Sequence, residues 1–366
     1  MTSLSTERAK RHIAVFGEMG RKYAHLIEKA FDDQPEWQVD VWPCDDDLAT
    51  RDAVISTCEA AVMSADFILT PGNFGALMTG PKLKLVLQPW VGTDWLDPGF
   101  LPEGLMVCNA GGHAASMAEH VMATLLEHAL ELRRQHADML AGRWHRAGRN
   151  AASEARHGHL NGKTLGLVGF GEIAQAVVQR AQAFNMTCAA IARSPRDATP
   201  AGLDWIGTGD DLPRLLGESD YVVLTCDLNS ETEGMIDAAA FGHMKPSAYL
   251  VNVARGEVIA ENALFEALRD RRIAGAALDT WYRYPVNIDD AEPDPDRGGP
   301  FQGSRFDFNA LDNVLLTPHS SAHTFDADEG RYISIGQSLR EYADGQIPKR
   351  HVATGTGDNL DGFKMP

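Results

Sequence analysis

Gly169-Phe170-Gly171-Glu172-Ile173-Ala174 is the stretch that decides the fold. The apolar run Leu165-Gly166-Leu167-Val168 precedes it, and a helix-forming run over residues 173–184 follows. A glycine-rich turn between a buried strand and a helix can hold the phosphates of a dinucleotide. Gly169 permits the tight turn, Gly171 lets the backbone approach the pyrophosphate, and Ala174 keeps helix and strand closely packed. Glu172 and Ile173 open the helix, whose N-terminus offers N–H groups and the positive end of its dipole to phosphate.

On both sides of this turn, short apolar runs alternate with helical patterns. Runs at 163–168, 187–192, 221–225, 248–253, 275–278 and 314–317 predict about six strands of a parallel sheet around that turn. Upstream, runs at 13–16, 38–42, 67–70, 83–88 and 106–108, with a helix over 22–31, predict a second sheet of the same kind. A long helix is expected over 116–144, too apolar in its first half to be simply amphipathic, so buried in a core or a subunit interface. Residues 143–159 read as a basic connector. Residues 286–313, rich in Asp, Pro and Gly, read as a long surface loop.

The chain has 366 residues, 44% apolar and 23% charged, enough for two ordinary domains. A net charge of -18 argues against nucleic acid as a partner, because phosphate binding wants a basic face. No run approaches the ~18 apolar residues that cross a bilayer, and residues 1–11 carry no apolar signal core. The five cysteines are scattered, with no C-x-x-C pair, which suits a reducing cytoplasm and indicates neither disulfide nor zinc.

Cofactor choice is read at the end of the strand after the turn. An NAD enzyme commonly places Asp or Glu about 20 residues on. Here the strand ends in Ala192-Arg193-Ser194-Pro195-Arg196. Arg193 and Ser194 can hold a 2'-phosphate, so NADPH is favoured, with NADH possible. Cys226 follows a strand bordering the cofactor and reads first as a packing residue.

Three other strands end in polar side chains. Val251-Asn252-Val253-Ala254-Arg255-Gly256 ends in an arginine, Gly275-Ala276-Ala277-Leu278-Asp279 in an acid, and Val314-Leu315-Leu316-Thr317-Pro318-His319 in a histidine. Residues at the carboxyl ends of parallel strands face the ligand crevice. Arg255 can grip a carboxylate and polarise a neighbouring carbonyl, and His319 can give that oxygen a proton. These are the parts of hydride transfer between a nicotinamide and a 2-keto or 2-hydroxy acid.

With these motifs the chain resembles the D-isomer-specific 2-hydroxyacid dehydrogenase family, of the phosphoglycerate, hydroxypyruvate and glyoxylate dehydrogenase type. The resemblance covers nearly the whole chain. It includes Pro81-Lys82-Leu83-Lys84-Leu85-Val86, Val91-Gly92-Thr93-Asp94, Met117-Ala118-Glu119-His120, Met244-Lys245-Pro246, Val251 to Gly256 and Thr317-Pro318-His319. It implies an α/β fold of two Rossmann-like, doubly wound parallel-sheet domains. The dinucleotide domain, 114–321, would be inserted into a smaller flavodoxin-like substrate domain, 1–113 plus 322–366, with catalysis in the cleft. It implies that Arg255 binds carboxylate and carbonyl, that His319 is the general acid and base, and that Asp279 faces the nicotinamide carboxamide. Backbone N–H groups of Val91, Gly92 and Thr93 would hold the substrate carboxylate. The family is usually dimeric, and the apolar stretch 121–132 is the candidate homodimer face.

Two departures stand out. The family usually carries Glu, hydrogen-bonded to the catalytic histidine, where this chain has Tyr284. A neutral phenol supplies at most a hydrogen bond, so His319 is expected to titrate lower than in relatives, with reduction favoured toward acidic pH. The second departure is His113, in a region near the substrate. Trp90 and Trp281 are candidate pocket walls for a bulkier keto acid. Two other readings remain: a low-turnover dinucleotide-sensing interaction protein, or formate- or phosphite-type oxidation.

Overall fold

A strand covered on both faces shows no polar face, so it reads as a short unbroken apolar run. The computed structural model, which describes residues 10–42, 53–63, 80–94, 96–144, 156–284 and 303–358, gathers such runs into two sheets. The first elements along the chain are β1 (Arg11–Phe16), α1 (Gly17–Lys29), β2 (Trp37–Trp42), β3 (Ala60–Val62), β4 (Leu85–Leu87) and β5 (Met106–Cys108). Next come α2 (Ala114–Leu130), α3 (Leu132–Leu140), β6 (Thr164–Val168), α4 (Glu172–Ala183), β7 (Thr187–Ile191), β8 (Trp205–Gly207) and α5 (Leu212–Glu218). Then follow β9 (Tyr221–Leu224), α6 (Ala238–His243), β10 (Tyr249–Asn252), α7 (Glu261–Arg269), β11 (Gly275–Leu278) and β12 (Val314–Leu316). The chain closes with α8 (Phe325–Ala343) and β13 (His351–Thr354). The expected strand at 67–70 and residues 286–302 of the expected loop lie outside the described residues. None of the described helices is long and apolar enough to cross a membrane.

The chain divides into two compact units, Met1–His113 with Phe325–Pro366, and Ala114–Thr324. In the first unit the sheet order is β13-β5-β4-β3-β1-β2. The five strands β1 to β5 are parallel and follow the 2-1-3-4-5 order of flavodoxin-like sheets, while β13 pairs antiparallel with β5 at the edge. On one face Ile13, Val15, Ile27, Leu85 and Leu87 pack with Tyr332 and Ile335 of α8. Tyr23 of α1 stacks on Tyr332 with ring centroids 5.3 Å apart, which joins the N-terminal and C-terminal helices of this unit.

In the second unit seven parallel strands run β12-β11-β10-β9-β6-β7-β8. The chain moves from β6 to β7 and β8 on one side, then returns to place β9 on the other. Such a reversal creates a crevice at the carboxyl ends of the two central strands, where ligands of doubly wound sheets bind.

The long helix expected over 116–144 is in fact two. Glu131 adopts a left-handed conformation (φ 53°, ψ 42°) between α2 and α3. The Glu127 carboxylate turns back to accept from the Arg133 amide at 3.1 Å and caps the new start. The apolar face of α2 is covered within its own unit: Val121 and Leu125 are fully buried against a core that includes Leu165, Val177 and Tyr249. Within 121–132 the core of this unit takes up Val121, Met122, Leu125 and Ala129, while Leu132, beyond the break, is 53% exposed.

At the C-terminal end of α2, His128 stacks on Tyr249 (centroids 3.9 Å) and meets Tyr221 edge-on. Burial pushes its pKa below the ordinary imidazole value, against the pull of Glu131 and Glu127. The folded state therefore takes up this proton less readily than the unfolded chain. Stability from the neutral ring is present at neutral pH and is lost as pH falls below about 6.5. The melting temperature of the wild-type protein is expected to fall more steeply between neutral and mildly acidic pH than that of His128→Phe. Parallel curves for the two proteins would contradict this.

Candidate active site

The site is built from one rim of the seven-stranded sheet. Register aligns the carboxyl ends: Val168 pairs with Ile191 and Leu224, Leu224 with Asn252, Asn252 with Leu278, and Leu278 with Leu316. The residue after each of β6, β9, β11 and β12 continues the ladder. Gly169 N–H donates to Ile191 O, Thr225 N–H to Val168 O, Asp279 N–H to Asn252 O and Thr317 N–H to Leu278 O. The glycine turn, Arg255, Asp279 and His319 thus all leave the same rim.

At the glycine turn, Gly169 has φ +94°, and a Cβ there would stand 2.7 Å from the Cys226 amide nitrogen. Only glycine fits, because the conformation and the neighbouring backbone both exclude a side chain. Thr225, not anticipated from sequence, locks the turn by donating its hydroxyl to Gly169 O at 3.0 Å. Gly171 is exposed, and a Cβ on it would meet nothing within 4 Å, so the space over the N-terminus of α4 is open. Ala174 is fully buried beneath. A turn with open space above a helix N-terminus suits a pyrophosphate. Glu172 begins the helix, and Ile173 is half-buried beside it. Cys226 is half-buried against this turn, and burial pushes its thiol up to about 11, so it remains a neutral packing group.

Arg193 and Ser194, both exposed, follow β7 directly. Arg193 Nη2 lies 3.6 Å from an Asp227 carboxylate oxygen beyond the end of β9. Sequence reasoning missed Asp227 because it sought a carboxylate only after β7, and the neighbouring strand end became relevant only once β6 was seen to separate the two.

Arg255 sits in a tight turn. Its guanidinium Nη1 donates to Ala254 O at 2.9 Å. A Cβ on the following Gly256 would stand 2.5 Å from the Trp281 carbonyl carbon, so this turn lies directly on the backbone after β11. Asn252, also missed, is 1% exposed and bridges the turn with its amide group. A polar side chain ending the apolar run Tyr249-Leu250-Val251 was the available signal.

Asp279 is 1% exposed and accepts from the Thr317 hydroxyl at 2.6 Å, the Ser320 amide at 2.9 Å and the Ser321 amide at 3.1 Å. Burial pushes its pKa up, but the polar groups of Ser321, Thr317 and Ser320 overcome that and hold the carboxyl below the ordinary aspartate range. His319, between those donors, has a left-handed backbone, φ 56°. Trp281 is 5% exposed, packs on Phe308, and donates its indole N–H to Thr317 O at 2.9 Å. It stands in the core of its unit and braces the histidine segment.

Tyr284 lies beside His319, with ring centroids 5.5 Å apart. Its hydroxyl accepts from the Trp281 amide at 3.1 Å. Burial raises the phenol above its ordinary value, against that amide and the charge of Arg255, so it is neutral at physiological pH. Arg255, Asp279, Tyr284 and His319 are therefore one group of neighbours.

In the first unit, Trp90 O accepts from the Ala110 amide, Val91 O from the Asn109 side chain at 3.0 Å, and Gly92 O from fully buried Gln88 at 2.9 Å. In a trans peptide the N–H points opposite its C=O. The amides of Val91, Gly92 and Thr93 therefore point away from these partners. His113, last residue of this unit, is 4% exposed.

Residues 122–321 match the family model described as D-isomer specific 2-hydroxyacid dehydrogenase, NAD binding domain. The glyoxylate reductase of Pyrococcus furiosus is 33% identical over 271 residues, 73% of this chain and 75% of the relative. A D-isomer specific 2-hydroxyacid dehydrogenase family protein from Aeromonas salmonicida superposes with a TM-score of 0.72 at 22% identity, over 94% of this chain and 99% of the other. A D-isomer specific 2-hydroxyacid dehydrogenase from Xanthobacter autotrophicus, solved with NADPH and MES, gives a TM-score of 0.70 at 24% identity, over 94% and 98% of the two chains.

Proposed function

The chain belongs to the D-isomer specific 2-hydroxyacid dehydrogenase family and is an NAD(P)-dependent oxidoreductase acting on the CH–OH group of donors; we propose that it works as a 2-keto acid reductase, reversible as a D-2-hydroxyacid dehydrogenase. One observation carries this reading: a single sheet rim bears the glycine cradle, Arg255 and His319 together. When bound, the nicotinamide supplies or accepts the hydride. Arg255 grips the substrate carboxylate and draws charge toward the carbonyl oxygen. His319 gives that oxygen its proton and takes it back in the reverse direction. Tyr284 stands beside His319 as a neutral neighbour. Trp281 acts on the site from the core, through the histidine segment that it braces. Gly169, Gly171, Glu172, Ile173 and Cys226 lie where the cofactor passes, whereas Asp279, buried with its carboxylate taken up by Thr317, Ser320 and Ser321, serves the histidine segment. A homodimer acting in the cytoplasm completes the proposal, the location resting on the scattered cysteines.

NADPH is the preferred cofactor in this reading, because Arg193 and Ser194 stand exposed one strand from the cradle. Asp227 opposes Arg193 and leaves room for NADH as the lesser partner. Oxidation of NADPH and NADH is followed by absorbance against glyoxylate, hydroxypyruvate, pyruvate, phenylpyruvate and branched 2-keto acids, at acidic and alkaline pH. Turnover is expected with NADPH, faster at acidic pH. Arg193→Ala is expected to lower kcat/KM for NADPH, and not for NADH, by about tenfold to a hundredfold, the worth of one charged hydrogen bond. Tight NADPH binding with no turnover on the whole panel would favour a sensing role, and cofactor reduction by formate or phosphite would favour oxidation of those anions.

A further inference from the structure

We propose that Asn252 and Asp279 form a buried clamp that positions Arg255 and His319, fixing the substrate-gripping group and the proton carrier in one register. The proposal rests on the roles given to Arg255 and His319 above. Both clamp residues are 1% exposed and belong to neighbouring strand ends, and the Asp279 amide donates to the Asn252 carbonyl at 3.0 Å. They are thus one continuous structure.

Each serves one turn. Asn252 Nδ2 donates to Arg255 O at 2.8 Å, and Asn252 Oδ1 accepts from the Ala254 amide at 3.0 Å. Both ends of the amide are used within four residues, which sets where Arg255 leaves the strand. Asp279 Oδ1 accepts from the Thr317 hydroxyl and the Ser320 amide, and Oδ2 from the Ser321 amide. These donors flank His319 on both sides. A histidine at φ 56° is uncommon and persists only where its surroundings over-determine it. The carboxylate supplies that constraint by capturing the two amides that follow the histidine. The Trp281 indole N–H on Thr317 O adds a third point on the preceding side. A buried charge is costly unless hydrogen-bonded, and its donors Thr317, Ser320 and Ser321 all belong to the histidine segment.

The experiment uses full-length Asp279→Asn, Thr317→Val and Asn252→Ala, with steady-state kinetics across pH and direct NADPH titration. Asp279→Asn is expected to lower kcat by up to about a hundredfold, as sub-ångström placement of a reacting group commands. It is also expected to move the pH midpoint of kcat/KM, while NADPH binding is unchanged. Thr317→Val is expected to act the same way but less. The double variant Asp279→Asn with Thr317→Val should lose less than the product of the two single losses, because both remove one device. Asn252→Ala is expected to raise KM for the keto acid more than it lowers kcat. Should Asp279→Asn fail to fold, Thr317→Val decides alone by the same kcat and pH readouts. An unmoved pH midpoint with unchanged kcat overturns the clamp. So does weaker NADPH binding with full kcat at saturation, which would make Asp279 a cofactor contact. If His319→Ala also keeps its turnover, the function assigned to the site has failed rather than the clamp.

Discussion

His319→Ala is expected to lower kcat for keto-acid reduction by about 10²–10⁴-fold, the usual worth of a positioned general acid. NADPH binding should persist, since the cradle at Gly169 and Gly171 lies several strands away. The loss should fall on kcat rather than KM, because proton transfer to the developing alkoxide occurs only in the transition state. Reduction needs the imidazolium, so kcat/KM for reduction should be high at acidic pH and decline as pH rises through the midpoint. Tyr284 sharpens this test. Its hydroxyl is turned to the Trp281 amide, and its ring lies against His319. Tyr284→Glu would put an ionisable carboxyl beside the imidazole, and an adjacent anion favours the charged ring. That variant should hold its reductase activity to higher pH than the wild type. Turnover near the wild-type level in His319→Ala would remove His319 from the chemistry.

The core of this arrangement was legible because buried parallel strands announce themselves. Runs such as Leu165 to Val168 and Tyr249 to Asn252 are continuous and flanked by breakers, and each forms a strand of the second sheet. Strands β3, β8 and β13 were not. Ala-Ala-Val at 60–62 has little β character of its own and is a strand because β1 and β4 enclose it. Trp205–Gly207 and His351–Thr354 are short edge strands, partly exposed, without an apolar run. The break at Glu131 depends on a side chain four residues earlier folding back onto Arg133, a contact no periodicity reveals. At the site, the reacting candidates stood out as polar ends of apolar strands. Their supports did not, because Asn252, Thr225 and Asp227 take meaning only from which strand lies next to which. Asp279 was legible as a polar strand end, while its hydrogen bonds to the histidine segment depend on β11 and β12 being neighbours.

Arg255→Ala is expected to cost about 10²–10³-fold in kcat/KM, the scale of removing one preorganised donor from a developing oxyanion. Unlike the histidine variant, it should damage both constants. Grip on the carboxylate is made in the ground state and sets KM, whereas polarisation of the carbonyl strengthens toward the transition state and sets kcat. Arg255→Lys separates the two. Lysine keeps the charge but not the planar fork, so it can attract the carboxylate without pairing with it in two parallel bonds. The fork's orientation here is set by the Nη1 bond to Ala254 O and by the turn packed on Trp281, and a lysine would have neither fixed direction nor second donor plane. Arg255→Lys should therefore recover part of KM and little of kcat. Measuring both constants with glyoxylate for wild type, Lys and Ala checks this. An alanine variant with wild-type KM would mean that Arg255 does not set the grip on the carboxylate.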